Sequence, residues 1–364
     1  WKKPPPTPKS LYGMSPSPIL HGEHLILVLD NDTNLPGSRL SQSKIVAYDK
    51  TNGDVAWEIH RPFHRSGWST PMVWEHSEGT ELVVLGNGRV SGYDMKTGTQ
   101  KWFVPGFSRE TISPPIAGKN ILYASSSKLG GGADIQVDPL PFWEAVNRFD
   151  QNGDGKIERK EMTGHFTFPI RPELPPGHPG FGIPLPKDKR RRQERLDGMF
   201  RGIDRNRDKF WTKEEFIANM RGGRGKPLLI AIRPGGQGDI TDTHLKWELN
   251  RSIPEIPSIL LYDGLIYMVR NGGLLSAVDA ANGKLLYRER LNAPGQYSAS
   301  PVAANDHIYL SSNRGVITTV KVDKEFRITH QHDLNDPVFV TPAIDKNTLY
   351  VRTEKALWAF RTND

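Results

Sequence analysis

Residues 47–57 read Ala47-Tyr48-Asp49-Lys50-Thr51-Asn52-Gly53-Asp54-Val55-Ala56-Trp57. An apolar run ends at Asp49, an Asn-Gly pair follows, and an aromatic stands on the returning segment. Asn-Gly supplies the positive φ that a tight hairpin turn requires. The stretch recurs: Gly92-Tyr93-Asp94 leads to Thr97-Gly98 and Trp102, and Ala277-Val278-Asp279 leads to Asn282-Gly283 and Tyr287. The shared pattern, A-x-D-x-x-[TN]-G-x-x-x-[WY], describes a hairpin whose aromatic packs the outer strand onto its neighbour. A weaker copy runs from Ala231 to Trp247 with a longer loop, Pro234 to Asp242. Degenerate copies at Thr319 and Ala359 lose the acid and the turn.

A second marker alternates with the first. Ser17-Pro18, Thr70-Pro71, Pro114-Pro115, Ser258-Ile259, Ser300-Pro301 and Thr341-Pro342 each precede an apolar run. Proline is tolerated at the first residue of a strand, where these stand. The markers recur every ~40–53 residues, the period of four-stranded propeller blades. They give six blade starts in a mainly β chain. The interval from Gly92 to Ala231 holds one such period plus an insert of about 94 residues. Gly130-Gly131-Gly132 and Gly222-Gly223 mark its ends as flexible joints. The predicted organisation is propeller blades over 1–127 and 227–364, separated by an insertion over 128–226.

The insertion carries two acidic loops. Asp150 to Glu161 reads D-Q-N-G-D-G-K-I-E-R-K-E, the twelve-residue loop of an EF-hand. Asp150, Asn152 and Asp154 hold positions 1, 3 and 5, and Lys156 offers its carbonyl at position 7. Glu158 stands where a water-mediated ligand belongs, and Glu161 supplies the bidentate carboxylate. Calcium is a hard cation that takes six to eight oxygens, and this spacing wraps one short loop around it. Gly155 stands where the chain turns sharply. Asp204 to Glu215, D-R-N-R-D-K-F-W-T-K-E-E, is a second copy with Asp204, Asn206, Asp208, the Phe210 carbonyl and Glu215 in the ligand positions. There Lys209 replaces the glycine, at a cost of about 1–2 kcal/mol for positive φ. Arg205, Arg207 and Lys209 weaken the local negative potential, so the second loop is expected to bind calcium more weakly than the first.

Flanking helices are predicted from stripes at helical spacing: Phe142, Val146 and Phe149; Leu196, Met199, Phe200 and Ile203; Phe216 and Met220. These read as the shared core of a paired unit. Ile157 and Trp211 occupy position 8 of each loop and are expected to bridge the two through a short two-stranded contact. Between the loops, seven prolines within 169–187 forbid regular helix or central strand.

Composition bounds the rest. The 364 residues include 35 Gly, 29 Pro and no Cys, which suits a turn-rich β protein and removes disulfides and thiolate metal sites. No run of 18 apolar residues is present to span a bilayer. The net charge of +7 concentrates in Lys187, Lys189, Arg190, Arg191, Arg192 and Arg195. Without interleaved aromatics this cluster is a solvated helix start rather than a nucleic-acid platform. Asp30, Asp32 and Asn34 begin like another calcium loop, but Ser41 fills its twelfth position, so a polar turn is expected. His21-Gly22-Glu23-His24 reads as a surface turn, and Pro62 between His60 and His64 disfavours a zinc-binding helix. Gly235-Gly236-Gln237-Gly238 lacks the Lys-Ser/Thr ending of a phosphate loop. The chain starts at Trp1 without Met or an apolar signal segment, and is read as a mature product or a fragment. Nothing in the sequence sets the oligomeric state.

The repeats resemble the quinoprotein-like (PQQ-like) β-propeller family, over about residues 10–127 and 227–361. Tyr12-Gly13-Met14-Ser15, Gly67-Trp68-Ser69-Thr70-Pro71 and Ala293-Pro294-Gly295 make the chain similar to exported bacterial repeat proteins of planctomycete type that carry EF-hands inside a propeller. That resemblance implies eight blades in the full-length protein. Six are visible here, Trp1 stands where an earlier blade would close, and the last copy ends after Phe360 before any outer strand. A closed six-bladed ring is the alternative.

The resemblance also implies export to the periplasm or cell surface, and a non-catalytic scaffold. A protein or glycan partner would bind a propeller face while Ca2+ orders the EF-hand pair, because the docking repeat builds blades rather than a reactive site. The competing implication is a PQQ-dependent quinoprotein dehydrogenase oxidising alcohols or sugars. Many such enzymes carry adjacent cysteines that this chain lacks, and their catalytic carboxylate transfers to no position here, so catalytic and PQQ-binding residues stay unassigned. A calcium sensor is disfavoured, since Met162, Met199 and Met220 are too few and dispersed for a Met-rich groove.

Overall fold

The computed structural model describes residues 1–3, 14–31, 42–61, 64, 66–108, 111–118, 120–127, 139–163, 167–169, 182–204, 206–221 and 227–361. Five antiparallel sheets of at least four strands follow one another along the chain, and a sixth has three among the described residues. The first pairs Ile19–His21, His24–Leu29, Lys44–Asp49 and Val55–His60 in sequence order. The second pairs Met72–His76, Gly79–Gly86, Arg89–Asp94 and Gln100–Pro105 the same way. In the third, Leu122–Ser126 pairs directly with Leu228–Ile232, so the chain between them leaves one sheet and returns to it. The fourth and fifth are Leu260–Tyr262 through Leu285–Arg290 and Val302–Ala304 through Ile328–Asp333. The sixth comprises Ala343–Asp345, Thr348–Arg352 and Leu357–Arg361.

The sequence pattern explains both the strands and their stacking. Successive side chains on a strand point to opposite faces, so a strand buried on both faces reads as a continuous apolar run. Leu82–Leu85 and Leu228–Ile232 are such runs, buried throughout. Each face packs on the next sheet. Ile26, Ala47 and Trp57 of the first sheet join Leu82, Val84 and Tyr93 of the second. Trp74, Val83 and Val90 of the second meet Leu122 and Ile230 of the third. The same relation links the third to the fourth, the fourth to the fifth, and the fifth to the sixth. Face-packed four-stranded sheets in series are propeller blades.

The recurring turns hold for a local reason. Asp49 accepts hydrogen bonds from the N–H groups of Thr51 and Asn52 at 2.7 and 3.2 Å, and from the Thr51 hydroxyl. Asp94 does the same for Lys96 and Thr97. Those bonds to Thr51 and Thr97 hold both carboxyls below the ordinary range. Gly53, Gly98 and Gly283 close the turns at φ between 72° and 74°.

At three of these turns an aromatic from elsewhere in the chain lies over the glycine. Trp57 Nε1 donates to the Met95 carbonyl at 3.1 Å, and a Cβ on Gly98 would come within 2.5 Å of its ring. Trp247 sits alike over Gly283, donating to Ala280 at 3.1 Å. Trp1 sits over Gly53 and donates to Lys50 at 2.9 Å.

Trp102 departs from this arrangement. The turn that would receive it is replaced by the long Pro234–Asp242 segment. Gly238–Asp239 of that segment instead adds a parallel fifth strand beside Trp102–Phe103. Trp102 folds inward, fully buried, and donates to Glu81 Oε2 at 2.6 Å. Gly92, where four of the other repeats carry alanine and the fifth Thr319, makes that possible: a Cβ there would lie 2.5 Å from Trp102 Cζ2 and closer still to Cε2 and Nε1.

Candidate functional site: the paired acidic loops

Three helices frame the two loops. Helix α1, Pro139–Asn147, leads into the first loop. Helix α2, Lys189–Ile203, leads into the second, and α3, Lys213–Arg221, leaves it. Asp188 caps α2 by accepting from Arg191 N–H at 2.8 Å, and the basic cluster lies on its solvent-facing first turns. Phe142 and Met220, expected in the core stripes, have side chains outside the described residues.

Among the described residues no exit helix follows the first loop, although its motif predicts one. Among the described residues only a turn follows, at Arg159–Glu161. The sequence there, Met162-Thr163-Gly164, supplies a β-branched residue and a glycine, both poor helix formers. Further on, Thr167–Pro169 pairs with Gly182–Pro184 as a two-stranded ribbon, an edge setting that tolerates the prolines.

The first loop is organised by its own carboxylates. Asp150 Oδ1 accepts from Gly153 N–H at 2.7 Å and Asp154 N–H at 3.2 Å, and Oδ2 accepts from Gly155 N–H at 2.8 Å. Asn152 Oδ1 accepts from Asp154 N–H at 2.9 Å, and Asp154 Oδ1 from Lys156 N–H at 2.9 Å. Glu161 is buried and reaches back, accepting from Glu158 N–H at 2.8 Å and Gln151 N–H at 3.3 Å. Gly155 has φ 78°, the left-handed turn its position demands.

The second loop repeats this closely. Asp204 accepts from Asp208 and Lys209 N–H groups at 3.1 Å, and Asn206 Oδ1 from Asp208 N–H at 2.9 Å. Asp208 Oδ1 accepts from Phe210 N–H at 2.9 Å, and Glu215 Oε2 from Thr212 N–H at 3.3 Å. Lys209 adopts φ 74° and Arg207 φ 63°, so the strain anticipated at the missing glycine is present.

The loops lie back to back. Ile157 pairs with Trp211, and Glu158 with Phe210, in an antiparallel bridge. Beneath it Trp143, Val146, Phe149, Leu196, Phe200 and Phe216 form one buried cluster with Ile157 and Trp211. Trp211 stacks on Phe200 at 5.1 Å and donates to the Phe200 carbonyl at 3.1 Å. Arg159 ties the first loop to α2 through Asp197 at 2.7 Å.

Among the described residues no three His, Cys, Asp or Glu side chains converge as a cluster able to hold a metal ion. A cation in either loop would need the Asn152 or Asn206 amide oxygen and a backbone carbonyl, Lys156 or Phe210, beside the carboxylates. The donor chemistry is all oxygen, as a hard cation requires. Glu215 Oε1 is buried without a hydrogen-bond partner. A buried carboxylate oxygen left unpaired is costly, and a bound cation relieves that cost.

Sequence reading passed over two buried charged groups elsewhere. Asp30, expected in a polar turn, is buried with Arg61 Nη2 3.4 Å from Oδ2. Burial outweighs the Arg61 charge and pushes its carboxyl up to about 6. Glu81 is fully buried between Trp102, Lys101 at 2.6 Å and His76 at 3.4 Å. Glu81 carries no motif and the pattern at Asp30 does not foretell its burial; both stand out only once neighbouring strands are paired.

Residues 9–136 and 247–364 match the family described as outer membrane protein assembly factor BamB. Among curated proteins, none matches this chain. Solved structures similar to it include BamB from Moraxella catarrhalis, at 11% identity and TM-score 0.36, covering 93% of this chain and 81% of that one. The β-propeller domain of Cps50 (Swd1) from Myceliophteria thermophila has 10% identity and TM-score 0.45, covering 98% and 85%. Quinohemoprotein alcohol dehydrogenase from Comamonas testosteroni has 10% identity and TM-score 0.46, covering 91% of this chain and 44% of the enzyme.

Proposed function

Because the matched stretches make up more than half of the chain, it belongs to the outer membrane protein assembly factor BamB family, and we propose that it is a calcium-binding, non-catalytic propeller scaffold for a protein partner. The family's description as an assembly factor supports the scaffold, and by the same kinship we place the protein in the periplasm or at the outer membrane. No helix among the described residues is long and apolar enough to cross a membrane.

In this reading the two acidic loops are an EF-hand pair. Asp150, Asn152, Asp154, Glu161 and the Lys156 carbonyl hold one Ca2+; Asp204, Asn206, Asp208, Glu215 and the Phe210 carbonyl hold a second, weaker one. The cation's part is to neutralise the carboxylates and fix each loop. The chain's part is to present them: the Asp150 and Asp204 carboxylates accept from loop N–H groups and so shape each turn. The observation that carries the proposal is the Ile157–Trp211 bridge, which brings two loops with acids at matching positions back to back over one core. Extracellular modules of this kind bind at ~10⁻⁴–10⁻³ M for stability rather than signalling.

The test is amide hydrogen exchange over residues 139–221, with calcium and with chelator. Calcium should slow exchange in both loops and in the 157/211 bridge while leaving the propeller strands unchanged. Identical exchange in the two conditions would overturn the calcium role.

A further inference from the structure

We propose that the outward face of α2 docks an acidic segment of a partner protein, with Arg191, Arg195 and Arg201 as the cations that hold it. The inward face of this helix is already covered: Leu196, Phe200 and Ile203 lie in the core beneath the paired loops. Residues three and four apart share a helix face. Arg191, Arg195, Gly198 and Gly202 therefore form one row on the other side, with Arg201 beside it. All five are exposed.

The acids of this stretch are engaged elsewhere. Asp188 caps the helix, accepting from the Arg191 N–H at 2.8 Å. Glu194 pairs with Arg190 at 3.0 Å, and Asp197 with Arg159 at 2.7 Å. Among the described residues, Arg191, Arg195 and Arg201 pair with no acid. Lys187 and Lys189, also exposed, add to the positive potential.

This face works against the helix's own stability. Lys189, Arg190, Arg191 and Arg192 crowd the first turn, which holds no acid, although the macrodipole favours acids there. Arg191 and Arg195 repel each other one turn apart. Gly198 and Gly202 stand within the helix, where glycine is a poor helix former. An added Cβ at either meets nothing within 4 Å, so no packing in the described chain calls for them. They leave a shallow floor on which another backbone can come close.

Guanidinium groups fork onto carboxylates, which suits an acidic peptide. A nucleic-acid strand stacks on aromatics, and this row has none; a flat lipid surface gains nothing from the glycine floor. From Arg191 to Arg201 the helix rises about 15 Å, which an extended chain covers in about five residues. The occupant is an extended segment of that length with Asp or Glu on alternate residues. Residues 139–221 lie outside the stretches 9–136 and 247–364 that match the assembly-factor family, so the face is an addition to the family's propeller. The inference rests on the scaffold reading and names the chemistry of one partner. A protein held on the propeller itself would survive its failure, so the two are separable.

The experiment uses the full chain in the presence of calcium and a fluorescein-labelled peptide, Gly-Glu-Gly-Glu-Gly-Glu-Gly, followed by anisotropy. The peptide should bind, and more weakly as salt rises. Replacing its Glu by Gln, or combining Arg191→Gln, Arg195→Gln and Arg201→Gln in the chain, should each weaken binding by about tenfold or more. Gly198→Gln with Gly202→Gln should weaken it by about tenfold while the melting temperature holds or rises, because glutamine is the better helix former. Lys284→Gln, Lys324→Gln and Arg327→Gln together, an equal loss of charge on the propeller, should leave binding unchanged. No peptide binding, full binding by either α2 variant, or equal weakening by the propeller variant would overturn the proposal. So would phosphatidylglycerol vesicles that bind through the arginines regardless of the glycines, which would assign the face to a lipid surface.

Discussion

Gly92→Ala adds one methyl group, and the structure makes its consequence large. The new Cβ would stand 2.5 Å from Trp102 Cζ2 and nearer to two further ring atoms, where carbon contacts settle at about 3.5–4.0 Å. The indole must retreat by about 1 Å, and it has nowhere to go. It is fully buried, edge-on to Trp74 at 6.3 Å between ring centroids, and held by Glu81 at 2.6 Å. Overpacking of this kind costs about 1–3 kcal/mol. Loss of a hydrogen bond to a buried carboxylate adds about 1.5–3 kcal/mol. Alanine returns about 0.5–1 kcal/mol through lower chain entropy, leaving a net loss of roughly 2–5 kcal/mol. Urea unfolding followed by tryptophan fluorescence measures it. In a Trp102→Phe background the same substitution should cost less than about 1 kcal/mol, because the clashing ring is gone. A wild-type midpoint for Gly92→Ala alone would refute the fold-back account of Trp102.

Lys209→Gly removes a strained φ of 74° and should stabilise the chain by about 1–2 kcal/mol, with tighter calcium binding in the second loop, read by melting temperature with and without the ion. Asp30 gives a pH signature. Its folded pKa of about 6 lies above the unfolded value, so its contribution is complete below about pH 4 and is lost as pH rises through 6. Relative to Asp30→Asn, the wild type should lose about 3 kcal/mol between pH 4 and 7, measured by denaturant titrations at each pH; a flat difference would contradict the buried, strained carboxyl.

The blades were legible because each hairpin is written locally. Asp49-x-x-Asn52-Gly53 states its turn, and Trp57 the aromatic of its outer strand, within eleven residues. Trp1 was read as a closing aromatic, but its seat over Gly53 came only with the structure. Each acidic loop was equally local, and the repeated motif carried the long-range position-8 contact between Ile157 and Trp211. What escaped depends on long-range pairing. Gly92 in place of alanine was visible, but its meaning required knowing that the receiving turn had been replaced by the Pro234–Asp242 segment, whose Gly238–Asp239 strand joins the previous sheet. Asp30 was read as part of a polar turn because Arg61, its partner, lies two strands away. The turn at Arg159–Glu161, where the loop motif calls for a helix, is followed by the β-branched Thr163, a poor helix former.

Calorimetric titration of the chelator-stripped chain with calcium, alongside Glu161→Gln and Glu215→Gln, tests the central claim most directly. The account predicts two binding events, the weaker lost in Glu215→Gln and the stronger in Glu161→Gln, each with a rise in melting temperature on binding. Absence of heat, with no change in melting temperature for the wild-type chain, would contradict it.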